Sequence, residues 1–171
     1  MAVAAGPASR RNVLSAAGAA LWLSACGFEL RRAPDLGFRT VQLKGFAARS
    51  PLANELRMNI NASRTTLVVD TAGEAQVVLE ALRDTREKSV VASTAAGQVR
   101  EVQLRSRFNF RLRSAAGKEL IAPREILLSR DMSYSETIAL AKEQEEGALY
   151  RAMQSDIVSQ VMRRLAAVTA L

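Results

Sequence analysis

Four arginines in one short segment carry the most distinctive chemistry of the sequence. Arg105, Arg107, Arg111 and Arg113 occupy odd positions within residues 102–114. The apolar members fill even positions: Leu104, Phe108, Phe110 and Leu112. Because successive side chains of a strand point to opposite faces, the pattern predicts a strand with one apolar face and one arginine face. Guanidinium groups bind phosphates in a bidentate way, so the arginine face could hold an anion.

The arginine face admits two other interpretations. Cross-strand partners such as Glu125 for Arg107 would make it a solvated face of ion pairs, and exposed pairs of this kind contribute only ~0–1 kcal/mol each. Alternatively, the face could be buried against the polar surface of a partner. The residues alone leave all three interpretations open.

Composition excludes several kinds of chemistry. The 171-residue chain has no histidine, which removes the commonest general base and the commonest metal ligand. Its one cysteine excludes an intrachain disulfide and a cysteine-rich zinc site. The acidic cluster Glu143, Glu145 and Glu146 is typical of a solvated helix start. We therefore expect no enzyme, no catalytic residue, no metal and no cofactor.

Charge and apolar content indicate a folded domain with an anionic partner. The formal net charge is +7, and strongly basic chains usually meet nucleic acid, a phosphorylated lipid or an acidic protein. Apolar residues make up 49% of the chain, which is enough for a core. The length fits one domain with a targeting segment.

Residues 1–25 have the features of a secretory signal peptide. Arg10 and Arg11 precede a mostly apolar run at residues 13–23, which is shorter than the ~20 residues that a transmembrane helix needs. The paired arginines also resemble a twin-arginine export signal, and the sequence leaves both export routes open.

A single cysteine follows this segment in the context Leu23-Ser24-Ala25-Cys26-Gly27. The motif resembles a bacterial lipobox, in which the cysteine thiol accepts a diacylglyceryl group and the cysteine becomes the first mature residue. Cys26 is thus the predicted lipid-attachment site, and its two or three acyl chains (palmitate among them) would anchor the protein permanently. Gly27 in place of aspartate favours the outer membrane. A periplasmic location argues against a nucleic-acid partner.

The mature chain alternates predicted strands and helices. Residues 38–46 form a strand, and Ser50-Pro51 begins a helix with an apolar stripe of Leu52, Leu56 and Ile60. Three longer strands follow at residues 76–92, 98–114 and 118–134, the first with a bulge or twist near residues 83–88. Residues 140–168 form a long helix whose apolar stripe has six members: Leu149, Met153, Ile157, Val161, Leu165 and Val168. The segment 65–70 is short and β-branched.

The loop at residues 115–117 predicts the register of the last hairpin. Its last residue, Gly117, suits the left-handed position of a three-residue loop. Ser114 then lies opposite Lys118, and the further pairs follow in step: Arg113 with Glu119, Leu112 with Leu120, Phe110 with Ala122, Arg107 with Glu125 and Leu104 with Leu128. Pro123 cannot donate to a ladder, which indicates an edge strand or a bulge.

These elements predict an α+β fold in the order β-α-β-β-β-α. We expect a mixed, mostly antiparallel four-stranded sheet with two helices packed on one face. The expected organisation is a signal peptide at residues 1–25, a lipidated tether at 26–37 and a single domain at 38–171.

Three motifs resemble one known family. The segment CGFELR at residues 26–31 is similar to the mature N-terminus of the LptE family of lipopolysaccharide-assembly lipoproteins. Pro51-Leu52 resembles the start of that family's first helix, and the segment ALAK at residues 139–142 resembles the approach to its last helix. The element order is also similar, and the resemblance covers nearly all of the mature chain.

The resemblance implies a location and two partners. Proteins of this family lie inside the lumen of the outer-membrane β-barrel LptD, where they act as a plug, assist its assembly and bind lipopolysaccharide during delivery to the cell surface. We therefore expect this chain to be lipid-anchored in the outer membrane, with its domain in the barrel lumen facing the periplasm. A polar barrel lumen would explain the arginine face, and lipid A phosphates would need cations.

The resemblance also implies binding residues. Relatives use a basic residue in the ALAK segment, which is Lys142 here. They also use one in the loop between the second and third strands, but here residues 93–97 carry no charge. Lys88 or Arg100 on the flanking strands would compensate. The alternative to this function is a generic lipoprotein adaptor of another envelope complex.

Overall fold

Five strands and two helices follow one another in residues 34–168, the part of the chain that the computed structural model describes. The elements are β1 (Thr40–Lys44), α1 (Pro51–Asn61), β2 (Leu67–Val69), β3 (Val77–Ser93), β4 (Val99–Ser114), β5 (Glu119–Ser133), a 3-10 turn (Glu136–Ile138) and α2 (Ala139–Ala166). The predicted signal peptide and lipid-attachment site Cys26 lie outside the described residues. Within that part of the chain, no helix is long and apolar enough to cross a membrane.

The predicted α+β fold class is confirmed, with one strand more than expected. The strand order in the sheet is β2-β1-β3-β4-β5. β1 runs parallel to β2 and to β3, and the remaining neighbours are antiparallel. The additional strand is Leu67–Val69, which lies within the β-branched segment 65–70 and pairs with β1 at the edge of the sheet.

Helix α1 begins where its capping residues predict. The Ser50 side chain accepts a hydrogen bond of 3.2 Å from the Ala53 amide, and Pro51 occupies a first-turn position that needs no amide hydrogen. The three members of the predicted stripe, Leu52, Leu56 and Ile60, are all buried. The stripe therefore fixes which side of α1 packs on the sheet.

Both helices pack on the same side of the sheet, which we call the helix face. The four apolar residues of β4 point to this side with no solvent exposure: Leu104, Phe108, Phe110 and Leu112. α2 covers them with four buried members of its predicted stripe: Met153, Ile157, Val161 and Leu165. The two ends of that stripe, Leu149 and Val168, are half-buried. The opposite side of the sheet is called the outer face.

A bulge in β3 changes which residues face the helices. The register with β4 shifts between Ala81 and Arg83, near the break that the sequence predicts. Before the bulge, odd-numbered residues such as Leu79 are buried on the helix face. After it, Lys88 pairs with the buried Leu104 and so lies on the helix face as well.

The predicted register of the β4–β5 hairpin holds only at its closed end. Ser114 and Lys118 are bonded as expected, and Arg113 pairs with Glu119. Farther along, the prediction is wrong by one residue at Leu112 and by two residues from Phe110 onwards, because two irregularities occur between Phe110 and Arg113. The observed pairs are Leu112 with Ile121, Phe110 with Arg124, Arg107 with Leu127 and Leu104 with Arg130.

From Arg124 onwards, the two-residue shift keeps the side chains of β5 on their predicted faces, because the side-chain period of a strand is two. At Ile121 the shift is one residue, which places that side chain opposite Leu112 on the helix face. Ile126 therefore still lies on the helix face, where it is buried against Phe108. Pro123 lies within the irregular stretch of β5, which is also an edge strand. An edge or a bulge was the expected setting for a residue without an amide hydrogen.

Candidate functional site

One end of the sheet gathers the three cations that the sequence analysis selects for lipopolysaccharide binding. We call this end the tip; it comprises the turn between β3 and β4, the end of β5 and the beginning of α2. Tyr134 lies at its centre, where its amide donates a 2.8 Å hydrogen bond to the carbonyl oxygen of Arg100. Lys88 approaches its ring, and Lys142 contacts the neighbouring Ser133.

Lys88 reaches the tip because of the bulge in β3. Its ammonium lies 5.5 Å from the centre of the Tyr134 ring and 2.7 Å from Glu146 Oε2 of α2. The hydrogen bond to Glu146 raises the pKa of Lys88. With 41% of the side chain exposed, Lys88 remains open to solvent beside its carboxylate partner.

The side chain of Lys142 is more buried than the sequence suggests. Its ammonium donates to Glu145 Oε2 at 2.8 Å and to Ser133 Oγ at 3.1 Å, and only 13% of its side chain is exposed. An ammonium carries three donors, so one donor remains for another acceptor. Any anion that binds here competes with Glu145.

Arg100 differs from the two lysines, because it makes no salt bridge with any residue that the structure describes. It lines a cleft of about 310 Å³ together with Tyr134 and residues of the following turn: Ser135, Glu136 and Thr137. A second cleft of about 370 Å³ lies between β3 and α2, where Lys88 and Tyr150 meet Glu143 and Glu146. The tip therefore offers two clefts, each with a cation.

Exposed apolar side chains lie at the same end of the molecule. Val90 and Val91 of β3 are 55% and 49% exposed, and Ile138 and Leu140 before and within the first turn of α2 are 51% and 72% exposed. Val90 follows Lys88 by two positions, so both lie on the helix face. Cations beside exposed apolar groups suit a ligand that is both anionic and apolar.

A polar network beneath the tip was not found by the sequence analysis. Arg86 donates a 2.7 Å hydrogen bond to Gln154 Oε1, and Gln154 Nε2 donates one of 2.6 Å to Glu55 of α1. The Arg86 guanidinium also lies 5.2 Å from the centre of the Tyr150 ring, whose hydroxyl donates to the Glu87 carbonyl oxygen. The network ties β3 to both helices and positions the strand that carries Lys88.

The arginines of β4 lie on the outer face, mostly in contacts within the sheet. Arg107 donates to both carboxylate oxygens of Glu125 at 3.1 and 3.0 Å, although the register sets these residues diagonally. Arg111 Nε donates to Glu80 Oε2 at 2.7 Å. Arg105 bonds Gln103 of its own strand at 2.7 Å, and Arg113 lies opposite Glu119.

The outer face is balanced in charge. The pairing register places six basic side chains on it: Lys44, Arg83, Arg105, Arg107, Arg111 and Arg113. It also places six acidic side chains there: Glu80, Glu87, Glu101, Glu119, Glu125 and Asp131. Among the described residues, Arg107 Nε and Asn109 Oδ1 are buried on this face without a hydrogen-bond partner. This balance of charge suits contact with the polar surface of another protein better than it suits binding of a free anion.

Replacing Glu80 with glutamine lowers stability in a pH-dependent way. The hydrogen bond from Arg111 holds the pKa of Glu80 below its ordinary value, with further help from the charges of Arg113 and Lys44. The stabilisation is present above the unfolded-state pKa and is lost as pH falls through the lower folded-state pKa. We expect a loss of about 1 kcal/mol at pH 7.

Urea unfolding of both proteins at pH 7 and at acidic pH measures this effect. The difference should disappear once Glu80 is protonated in the folded state. A difference that persists unchanged at low pH would show that the ion pair is not its source.

Comparisons with known proteins identify the family of this chain. The family model for LptE, described as lipopolysaccharide-assembly, matches residues 38–165. The chain belongs to the LptE family. This family works in lipopolysaccharide assembly and is not a family of enzymes. No curated protein matches the chain.

Solved structures of lipoproteins share the fold of this LptE-family chain. The solution structure of lipoprotein B from Nitrosomonas europaea has a TM-score of 0.70 and 33% identity, covering 84% of this chain and 92% of that one. Rare lipoprotein B from Shewanella oneidensis has a TM-score of 0.64 and 22% identity, covering 75% and 95%. A minor lipoprotein from Acinetobacter baumannii has a TM-score of 0.63 and 22% identity, covering 77% and 93%.

Proposed function

We propose that this LptE-family protein is anchored in the outer membrane through acylated Cys26 and binds lipopolysaccharide with the tip of its domain. The observation that carries the proposal is the convergence of Lys88, Arg100 and Lys142 around residues 133–134. Lipid A presents phosphates next to acyl chains, and the tip presents cations next to exposed apolar side chains. Membership of the lipopolysaccharide-assembly family supports this ligand over other anionic amphiphiles.

The three cations have unequal parts in the proposed site. Arg100 is the primary phosphate ligand, because it lines a cleft and has no competing salt bridge within residues 34–168. Lys88 and Lys142 bind by exchanging Glu146 and Glu145 for phosphate oxygens. This exchange is favoured because a charge-assisted hydrogen bond to a dianionic phosphate is stronger than one to a singly charged carboxylate.

The proposed macromolecular partner is the outer-membrane β-barrel LptD, which holds the domain in its lumen. A barrel lumen is polar, so a plug must present a polar surface to it. The charge-balanced outer face meets this requirement, and its unpartnered Asn109 and Arg107 atoms would bond to groups of the wall. Arg105, Arg107, Arg111 and Arg113 thus serve mainly as partner contacts.

Photo-crosslinking from the outer face tests the barrel contact. A photoreactive residue in place of Ser129, which pairs with Arg105 on this face, is placed in the full acylated protein in cells. We expect a crosslinked product with the mass of a large β-barrel and with lumen-facing peptides. A product with a different envelope protein would support the generic adaptor and overturn this part of the proposal.

A further inference from the structure

A separate cleft of about 770 Å³ lies at the other end of the sheet from the tip. It is formed where the described chain begins, at the start of β1 and beside β2. The polar residues that line it include Arg39, Thr40, Arg64, Thr65 and Gln76, and no carboxylate lines it. None of these residues belongs to the site proposed above.

The hydrogen bonds around this cleft leave it rich in donors. Thr40 Oγ1 accepts the Gln76 amide at 2.9 Å, and Gln76 Oε1 accepts the Arg39 amide at 2.7 Å. Thr65 Oγ1 accepts the Leu36 amide at 3.2 Å. The side-chain oxygens are thus used as acceptors, while the Thr40 hydroxyl hydrogen and the Gln76 NH₂ group remain to be donated.

Two guanidinium groups add to this donor set. Neither Arg39 nor Arg64 forms a salt bridge within residues 34–168, and both residues are exposed. Arg64 has a positive φ of 62°, which is uncommon for an arginine and is held here by the tight turn after α1. Leu67 stands at the same cleft with 62% of its surface exposed.

The length of chain between Cys26 and the described domain limits how far the cleft can lie from the membrane. The described part of the chain begins at Pro34, about eight residues after Cys26, and an extended segment of that length spans at most about 28 Å. If Cys26 carries acyl chains, the beginning of the described domain stays within that distance of the headgroup layer. The available ligand with complementary chemistry there is the phosphate of an anionic phospholipid.

We propose that the cleft lined by Arg39, Arg64, Thr40 and Gln76 binds the phosphate of an anionic phospholipid headgroup in the membrane that holds the anchor. The two guanidiniums neutralise the phosphate, the hydroxyl and amide donate to its oxygens, and Leu67 contacts the apolar layer below. The inference rests on the anchor at Cys26 but not on the ligand of the tip. Headgroup binding would orient the domain relative to the membrane.

Vesicle binding by the unacylated protein tests this site. The mature chain with Cys26→Ser is mixed with vesicles of phosphatidylglycerol and phosphatidylcholine, and with vesicles of phosphatidylcholine alone. We expect binding to the anionic vesicles only, and Arg39→Gln/Arg64→Gln should weaken it about tenfold or more. The matched control Arg124→Gln/Arg151→Gln removes the same charge elsewhere and should change binding less than threefold.

If the two double variants lost vesicle binding equally, or if neither lost it, the proposal would be overturned. A second measurement needs no arginine variant: the side-chain amide signal of Gln76 should shift with phosphatidylglycerol vesicles, and an unmoved signal would also overturn it. A shift with inorganic phosphate but not with vesicles would count against a lipid headgroup. Lipopolysaccharide binding should be unchanged in Arg39→Gln/Arg64→Gln, so failure here is separate from failure at the tip.

Discussion

Replacing Lys88, Arg100 and Lys142 together with glutamine weakens lipopolysaccharide binding by about 30-fold. Lys88 approaches the Tyr134 ring, the backbone of Arg100 bonds that of Tyr134, and Lys142 bonds Ser133. In the proposed site these three side chains supply the charge-assisted bonds to phosphate. Exposed ion pairs contribute at most ~1 kcal/mol each, and the lysines must first give up their glutamates. The combined loss is therefore about 2 kcal/mol, which corresponds to that change in dissociation constant.

Titration of purified protein with lipopolysaccharide at fixed salt measures this loss. The matched control removes three cations away from the tip, Lys118, Arg124 and Arg163, by the same substitution. Equal weakening in both triple variants would show that net charge, rather than the tip, governs binding.

The opposite change should strengthen binding. Glu145→Gln/Glu146→Gln removes the carboxylates that hold Lys142 and Lys88, so phosphate no longer competes with them. We expect severalfold tighter binding in the same titration. Weaker or unchanged binding would exclude the exchange of partners at the two lysines.

Replacing Gly45 with alanine lowers the free energy of unfolding by about 4 kcal/mol. Gly45 follows β1 with φ of +80°, a conformation that costs a residue with a side chain ~1–2 kcal/mol. An added Cβ would also lie 2.3 Å from the carbonyl oxygen of Ala81, which is backbone of the neighbouring strand. Relief of that overlap requires β1 and β3 to separate where β3 enters its bulge.

Two other glycines provide matched controls for this substitution. Gly97 and Gly117 also have positive φ, at 80° and 87°, but a Cβ at either position meets no atom within 4 Å. Alanine there should cost only about 1 kcal/mol in urea unfolding. If the three variants were equally destabilised, the close approach of Gly45 to Ala81 would be irrelevant to stability.

Local chemistry was sufficient to predict most of the fold. Ser50 and Pro51 located the start of α1, and the alternation in β4 identified the buried side of the central strand. The short strand at Leu67–Val69 was missed because three residues give too little periodicity to distinguish a strand from a loop. The hairpin register was wrong beyond its closed end because β5 irregularities depend on tertiary packing.

The candidate site was predictable only in part. The family resemblance selected Lys142, Lys88 and Arg100 as separate residues, whereas their convergence on residues 133–134 depends on the whole sheet. Lys88 faces the helices only because one bulge inverts the alternation of β3. Glu146 meets Lys88 across more than fifty residues of chain, which no local pattern records, whereas Glu145 lies three residues from Lys142 on the same helix.

Purification of the full acylated protein from outer membranes, with its partners identified by mass, tests the central claim most directly. The account predicts that one large β-barrel and lipopolysaccharide remain bound after detergent extraction. It also predicts that the Lys88, Arg100 and Lys142 variant retains the barrel and loses most of the lipopolysaccharide. Recovery of an unacylated protein with no barrel would contradict the account.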